Sequence, residues 1–217
     1  MSCAPPPWFD RTFATPRLNP YQEAARCDGT HAEDLYRWNL QASEAFYPAL
    51  SCLEVSIRNA ENEQLQARYG RPDWWASAPL DQHDASKVRQ ASDDLRRRKG
   101  MDPPCVDGIV AELSFGFWVS LLSRRYDRYF WVPALHRAFP GYHGDRESLR
   151  DNLQAMLRLR NRIMHHEPIH HRHLEADHAK IYRLLGYIEP EAATWLRNFD
   201  RVPDVLALRP RRDMCGR

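Results

Sequence analysis

Long apolar runs, paired cysteines and lysine are all scarce in this chain of 217 residues. No apolar run approaches the ~20 residues that a helix needs to cross a bilayer, and the N-terminus lacks the charged and apolar regions of a signal peptide. The five cysteines are scattered without C-x-x-C spacing, which does not suggest a disulfide framework. We therefore expect a soluble cytoplasmic protein with reduced thiols.

The charge of the chain is almost balanced, with a formal net charge of +2 from 31 basic and 29 acidic residues. No global field therefore points to nucleic acid or a membrane as the partner, and any nucleic-acid contact must be local. Lysine occurs only at Lys87, Lys99 and Lys180. The arginine fork suits phosphate better than an ammonium group does, although a GC-rich genome explains the same bias.

Apolar residues recur at helical spacing through most of the chain, and no stretch alternates with period two, so the sequence predicts an all-α protein. We expect residues 1–17 to form an extended, proline-rich arm, residues 18–202 a single helical domain and residues 203–217 a basic tail. The predicted helices run from Pro20 to Gly29, from Thr30 past Ala42, from Phe46 to Gly70, over residues 81–99 and 109–121, from Asp145 to Pro168, and over residues 176–185 and 191–199.

The predicted helix after Asp145 carries the residues best suited to chemistry. Its apolar stripe consists of Leu149, Leu153, Met156 and Ile163. Arg160 fills the missing position of that stripe, so its charge needs a partner. Asn161 and His165 are four residues apart and share the neighbouring face, and Pro168 ends or kinks the helix just beyond them. An arginine, an amide and an imidazole are therefore predicted to converge near a helix end.

The chemistry that needs such a set is transesterification of RNA, in which the 2′-hydroxyl attacks its own phosphorus and leaves a cyclic phosphate. A histidine moves the proton, while an arginine stabilises the charge that builds on the phosphoryl oxygens. No metal or cofactor is required, and DNA lacks the nucleophile. The structural alternative is that Arg160 forms an ion pair with an acid such as Glu54 and that His165 caps a helix end. Spacing alone leaves both interpretations open.

Four ordered motifs resemble one family. The segment from Leu157 to Ile169, LRLRNRIMHHEPI, resembles the C-terminal signature of Abi-like (abortive infection) proteins, which belong to the HEPN superfamily and carry its R-x4-6-H motif. Three further segments are similar to the same family: Leu35–Asn39 (LYRWN), Leu53–Ala60 (LEVSIRNA) and Glu112–Trp118 (ELSFGFW). Together they span most of the chain, from about Leu18 to Trp195.

The resemblance implies a HEPN-like helical bundle, with additional N-terminal and peripheral helices, and a homodimer whose paired motifs form one composite cleft. Arg160 and His165 match the catalytic arginine and histidine, and Asn161 matches the polar residue that usually follows the arginine. His166 would be a substitute or supporting donor. The implied activity is that of a metal-independent endoribonuclease in phage defence, or of a toxin with a regulatory or antitoxin partner.

A second motif places Glu54, Arg58 and Asn59 on another predicted helix. Glu54 and Arg58 are four residues apart, which has an ordinary explanation as a salt bridge along one helix. Within the resemblance this motif is recurrent and could face Arg160. Both interpretations stay open at this point.

A zinc enzyme is a weaker alternative, because His166-Glu167-Pro168-Ile169-His170 formally matches H-E-x-x-H. That motif works only when both histidines lie one helical turn apart on the same face, and Pro168 stands between them. We therefore expect no metal site.

Basic runs are candidates for contact with RNA phosphates. They comprise Arg96, Arg97 and Arg98, followed by Lys99, together with Arg162 and the C-terminal run from Arg209 to Arg212. The solvated-surface interpretation is favoured for the two runs, since neither has interleaved aromatic residues for base stacking. The aromatic clusters Trp74-Trp75 and Tyr126–Trp131 are expected in the core or in a dimer interface.

A helical fold can also keep such residues for structure alone. The rival functions are therefore a non-catalytic HEPN-type module that binds RNA or protein, and an antitoxin-like partner or scaffold. Neither rival would cleave RNA.

Overall fold

The computed structural model describes residues 7–100 and 102–210, and within them the chain is helical with no β-strand. The all-α prediction is confirmed for this part. The α-helices are α1 (Pro7–Phe13), α2 (Thr15–Asp28), α3 (Ala32–Tyr69), α4 (Gln82–Lys99), α5 (Val106–Glu112), α6 (Phe115–Leu121), α7 (Arg146–Met164), α8 (Leu174–Ile188), α9 (Pro190–Arg197) and α10 (Val202–Ala207). Short 3₁₀ and π turns connect α3 to α4 and α6 to α7.

Helix α3 is the centre of the fold, and it packs against α2, α6, α7, α8 and α10. The sequence predicts two helices here, with Pro48 in the first turn of the second, but α3 continues without a break through Pro48. A proline fits the φ of a helix and removes one hydrogen bond. Phe46, Ala49 and Leu50 around it are buried, and this packing outweighs that loss. Gly70 then ends the helix at φ 67°.

The N-terminal segment is not the extended arm predicted for residues 1–17. Residues 7–13 form α1, and α2 begins at Thr15, so Pro20 lies inside α2 rather than in its first turn. Phe9 packs its ring edge against Tyr36 of α3, with ring centroids 5.6 Å apart. Leu18 is fully buried. Burial of these apolar side chains against α3 overrides the preference of proline for extended chain. Residues 1–6 lie outside the described part.

Two further predictions of local structure were wrong. The helix predicted over residues 109–121 is divided, because Leu113 adopts an extended conformation and the Ser114 hydroxyl caps α6 by accepting from the Phe117 N–H at 3.4 Å. Residues 203–207, predicted as tail, belong to α10. The Trp38 indole N–H donates to the Val205 carbonyl at 2.8 Å and fixes that helix on α3. Residues 211–217 of the tail lie outside the described part.

Helix α4 buries one face against the core. Val88, Ala91 and Leu95 are buried, and so is the carboxylate of Asp84. The neighbouring aromatic cluster also contributes to the core, since Trp74 is fully buried and its indole N–H donates to Asn62 at 3.0 Å. Across residues 7–100 and 102–210, every helix is too short or too polar to cross a membrane.

Candidate active site

A groove of about 220 Å³ lies between α3 and α7. The stripe of apolar residues on α7, from Leu149 to Ile163, is buried against the core, which fixes the rotation of the helix and brings Arg160 to the α3 side. The groove is lined from α3 by Tyr47, Leu50, Ser51, Glu54, Val55 and Arg58, and from α7 by Arg160, Ile163 and Met164.

Arg160 forms an ion pair with Glu54 across this groove. Its Nε atom donates to Glu54 Oε2 at 3.2 Å, and its Nη1 atom donates to Asn161 Oδ1 at 3.4 Å. Both charged side chains are half-buried, with 32% of Arg160 and 22% of Glu54 exposed. Glu54 is therefore the partner that the charge of Arg160 requires inside the apolar stripe. It binds the Nε edge of the guanidinium, and Arg160 also lines the groove.

Arg58 lines the same groove without a carboxylate partner among the described residues. Its Nε atom donates to the Asn59 amide oxygen at 3.3 Å. Of the two interpretations of this motif, the salt bridge between Glu54 and Arg58 along α3 is not formed, because Glu54 pairs with Arg160 on α7 instead. Two guanidinium groups from different helices thus share one groove with a single carboxylate, an arrangement suited to a phosphate.

His165 is the residue at which α7 ends. Its backbone N–H donates to the Asn161 carbonyl at 2.9 Å, while its side chain is exposed and makes no hydrogen bond with the described part of the chain. Met164, directly before it, is the last residue that lines the groove. The predicted convergence is therefore formed for Arg160 and Asn161, whereas His165 is not among the residues that line the groove in a single chain.

The end of α7 is a Schellman motif with histidine where glycine is usual. The Glu167 N–H donates to the Arg162 carbonyl at 2.7 Å, and the His166 N–H donates to the Ile163 carbonyl at 3.0 Å. His166 has φ 58°, a left-handed conformation that is strained for a residue with a Cβ. Its carbonyl accepts a hydrogen bond from the Arg17 guanidinium. Strain of this kind often accompanies a functional site.

Replacing His166 with glycine is expected to stabilise the fold by about 0.5–1 kcal/mol, because glycine adopts a positive φ without a clash of Cβ. Urea unfolding at neutral pH measures the change. His166→Ala is the control, since it removes the imidazole and keeps Cβ. An equal gain in both variants would show that backbone strain is not the cause.

The segment after α7 is a fixed turn rather than a helix. Arg162 donates to the Pro168 carbonyl at 3.1 Å, and the Asn39 amide oxygen accepts from the Ile169 N–H at 2.8 Å. His166 and His170 therefore do not share a helical face, as the H-E-x-x-H motif requires. Within the described ranges, no group of three histidine, cysteine or acidic side chains is placed to hold a metal ion. Arg162, a candidate RNA contact, supports this turn.

His170 in the same turn is buried against the ring of Tyr21, with ring centroids 5.0 Å apart. Burial, together with the nearby His171 and Arg209, lowers its pKa from 6.5 to about 4. Below pH 6.5 this histidine therefore binds a proton in the unfolded chain, whereas in the folded chain it binds one only at about pH 4. Stability is lost as the pH falls through that window.

His170→Leu is expected to remove part of this acid sensitivity. The free energy of unfolding of the native chain should fall by on the order of 2 kcal/mol more than that of the variant between pH 6.5 and pH 4. Urea unfolding at several pH values measures both. His143→Leu, at an exposed histidine, is the control. Parallel pH profiles for the native chain and His170→Leu would contradict the assignment.

The basic run on α4 is already paired. Arg96 contacts Asp93 and Asp102, Arg97 contacts Asp94, and Arg98 contacts Asp94 and Glu112, with N···O distances from 2.8 to 3.6 Å. These carboxylates compete with RNA phosphates for the three arginines. The contacts favour the solvated-surface interpretation of this run.

The apolar part of the groove was not predicted from the sequence. Leu40, Tyr47, Val55 and Met164 are large apolar residues with exposed side chains. Tyr47 and Val55 line the groove, and Leu40 lies on the same face of α3, seven residues before Tyr47. The signal was present as a second apolar stripe along one helix.

The chain matches no family model, no curated protein and no solved structure.

Proposed function

We propose that this protein is a metal-independent endoribonuclease of the HEPN class, acting in phage defence by abortive infection or as a toxin. The observation that carries the proposal is the groove itself, where Arg58 and Arg160 come from two helices and Glu54 holds one of them. His165 comes directly after Met164, the last residue along the chain that lines the groove. The four motifs that resemble Abi-like proteins give these residues their roles.

In the proposed reaction the 2′-oxygen of a ribose attacks the adjacent phosphorus, and the bond to the 5′-oxygen of the next nucleotide breaks. Arg160 and Arg58 stabilise the negative charge on the phosphoryl oxygens. His165 takes the proton from the 2′-hydroxyl or gives one to the leaving 5′-oxygen. Glu54 and Asn161 position Arg160. The products are a 2′,3′-cyclic phosphate and a 5′-hydroxyl.

A homodimer supports this mechanism, because acid and base can then be His165 from the two copies. One face of α3 carries three exposed apolar side chains, Leu40, Tyr47 and Val55, which we call the α3 stripe. Tyr47 and Val55 also line the groove. Large apolar side chains exposed together on one helix face are typical of an interaction surface. Pairing two copies through the α3 stripe would bring the two grooves together.

Tyr47→Glu is expected to weaken this dimer at least about tenfold, because it places a charge in the centre of the α3 stripe. In the single chain 57% of Tyr47 is exposed. Tyrosines that become buried in an interface contribute strongly to its affinity. Sedimentation velocity over a range of concentrations measures the dimer. Tyr129→Glu, at a tyrosine exposed to 55% outside the stripe, is the control. Equal association of both variants would contradict the interface.

The experiment that tests the function incubates the purified full chain with end-labelled RNA in EDTA and analyses the product ends. Cleavage should persist in EDTA and yield 2′,3′-cyclic phosphates. The same sequence as DNA should remain intact, because it lacks the nucleophile. Cleavage of DNA, loss of cleavage with EDTA, or 3′-hydroxyl products would each contradict the mechanism.

A non-catalytic module that binds RNA or protein is the second candidate. It is favoured by the ion pair between Arg160 and Glu54, which gives the arginine a structural role, and by the groove lining of the single chain, which does not include His165. Such a module would retain labelled RNA in a gel-shift assay and leave it uncut under the conditions of the cleavage assay.

A further inference from the structure

A second and larger cleft, of about 700 Å³, lies between α8 and the segment that joins α9 to α10. It shares no lining residue with the groove of the proposed nuclease site. Its size falls within the range of pockets that hold small organic ligands. The lining residues are His178, Ala179, Tyr182, Arg183, Arg197, Asp200 and Pro203.

The inner wall of the cleft is a buried hydrogen-bond network around Asp200, whose side chain is only 8% exposed. Asp200 Oδ2 accepts from His178 Nε2 at 2.5 Å and from the Tyr182 hydroxyl at 2.7 Å, and Oδ1 accepts from the Val202 N–H at 3.0 Å. Burial alone would raise the pKa of Asp200, but these hydrogen bonds outweigh it and lower the pKa. The carboxylate is therefore ionised and fully engaged by the protein.

The rim of the cleft carries two arginines, Arg183 from α8 and Arg197 from the end of α9. Both are exposed, and neither forms an ion pair with a carboxylate in the described part of the chain. The Arg197 guanidinium lies over the Tyr182 ring, 5.0 Å from its centroid, in a cation-π contact that holds it against the wall. Asp200 is the only carboxylate among the lining residues, so the cleft has an excess of positive charge.

We propose that this cleft binds the phosphate group of a small phosphomonoester, such as a mononucleotide. A phosphomonoester carries close to two negative charges and three terminal oxygens, which two arginine forks can neutralise and bind together. Asp200 orients the His178 ring by accepting from Nε2. Nδ1 of the neutral ring is then an acceptor, so the contacts to the phosphate come from the two arginines. The cleft volume beyond the phosphate accommodates the organic group.

This site does not depend on the nuclease proposal, and it is tested by binding alone. Isothermal titration calorimetry of the full chain compares adenosine monophosphate, inorganic phosphate and adenosine. The monophosphate is expected to bind with a Kd of about 1 mM or lower, phosphate more weakly, and adenosine not at all. Equal binding of adenosine and adenosine monophosphate would overturn the proposal, and so would no binding of the monophosphate.

The double variant Arg183→Ala/Arg197→Ala is expected to weaken binding of the monophosphate at least about tenfold, because it removes two charge-assisted contacts. Arg89→Ala removes an exposed arginine of α4 that has no partner in the described part of the chain, and it should bind as the native chain does. Unchanged affinity in the double variant would overturn the proposal.

The phosphate can belong to a free nucleotide or to the end of a nucleic acid. A DNA tetranucleotide with a 5′-phosphate, compared with its 5′-hydroxyl form and with adenosine monophosphate, distinguishes these sources without cleavage. Tighter binding of the phosphorylated tetranucleotide than of the monophosphate would identify a nucleic-acid end. The reverse order would identify a free nucleotide, and in either case the double variant should lose the binding.

Discussion

His165→Ala is expected to lower the rate of RNA cleavage by a factor of about 10² to 10⁴, the usual contribution of a general acid or base. The imidazole is exposed and makes no hydrogen bond with the described part of the chain, since the capping contact of this residue to Asn161 uses its backbone N–H. The fold should therefore survive the change. Single-turnover cleavage of end-labelled RNA measures the rate, and thermal unfolding checks the stability.

Arg160→Ala should lose cleavage to a similar extent, about 10² to 10³-fold, because it removes the charge opposite the phosphoryl oxygens. It should also destabilise the protein, since it leaves the half-buried carboxylate of Glu54 without its partner. The contrast between the two variants separates chemistry from structure: His165→Ala should lose activity alone, and Arg160→Ala should lose activity and stability together.

His143→Ala is the matched control, because it removes an exposed histidine outside both the groove and the cleft. It should cleave RNA as the native chain does. Full activity in His165→Ala and Arg160→Ala would exclude the proposed mechanism. Loss of activity in Arg160→Ala alone, with His165→Ala unaffected, would assign the proton transfer to another group.

The sequence predicted α7 well because three independent signals coincide there. Asp145 caps the helix by accepting from the Ser148 N–H at 2.7 Å, the apolar stripe has helical spacing, and Pro168 prevents continuation. The stripe also indicated that Arg160 needs a charged partner, and Glu54 was named as one candidate. Helical geometry was therefore sufficient for the half of the site that lies within one helix.

The position of His165 was harder to predict, because it depends on where α7 ends. Pro168 allows a helix as far as Glu167, and a helix of that length would place Asn161 and His165 on one face. The helix instead ends at Met164, and the positive φ of His166 turns the chain away. Glycine is the residue that usually indicates this turn, so a histidine at that position does not allow the helix end to be predicted.

Tertiary packing also decided the long central helix and the N-terminal helices. Pro48 locally favours the start of a helix, yet α3 continues through it because Phe46 and Leu50 on either side are buried in the core. The first prolines predicted an extended arm, yet Phe9 contacts Tyr36 on α3, and the segment around Phe9 is the helix α1. In both places the deciding contact is distant along the chain, so local propensity could not show it.

Asp84→Ala is expected to destabilise the protein by about 3–5 kcal/mol, the cost of removing one partner from a buried ionic network. Asp84 is fully buried and accepts hydrogen bonds from Lys87 at 2.9 Å, the Tyr126 hydroxyl at 2.9 Å, Ser120 at 3.1 Å and Arg125 at 3.1 Å. Alanine would leave Lys87 and the Tyr126 hydroxyl without this acceptor, whereas Ser120 keeps the Phe117 carbonyl and Arg125 keeps Asp81. The melting temperature should fall by roughly 10 °C, as measured by calorimetry.

Two comparisons make this prediction specific to Asp84. Asp93→Ala removes an exposed carboxylate from the same helix, where it pairs with Arg96, and should cost less than about 1 kcal/mol. Burial would raise the pKa of Asp84, but hydrogen bonds from Lys87 and Tyr126 outweigh it and lower the pKa below its ordinary 3.8. The stabilisation is therefore present above pH 3.8 and is lost as the pH falls further. The difference between the native chain and Asp84→Ala should shrink in acid, whereas a constant difference would assign the loss to packing rather than to the charge.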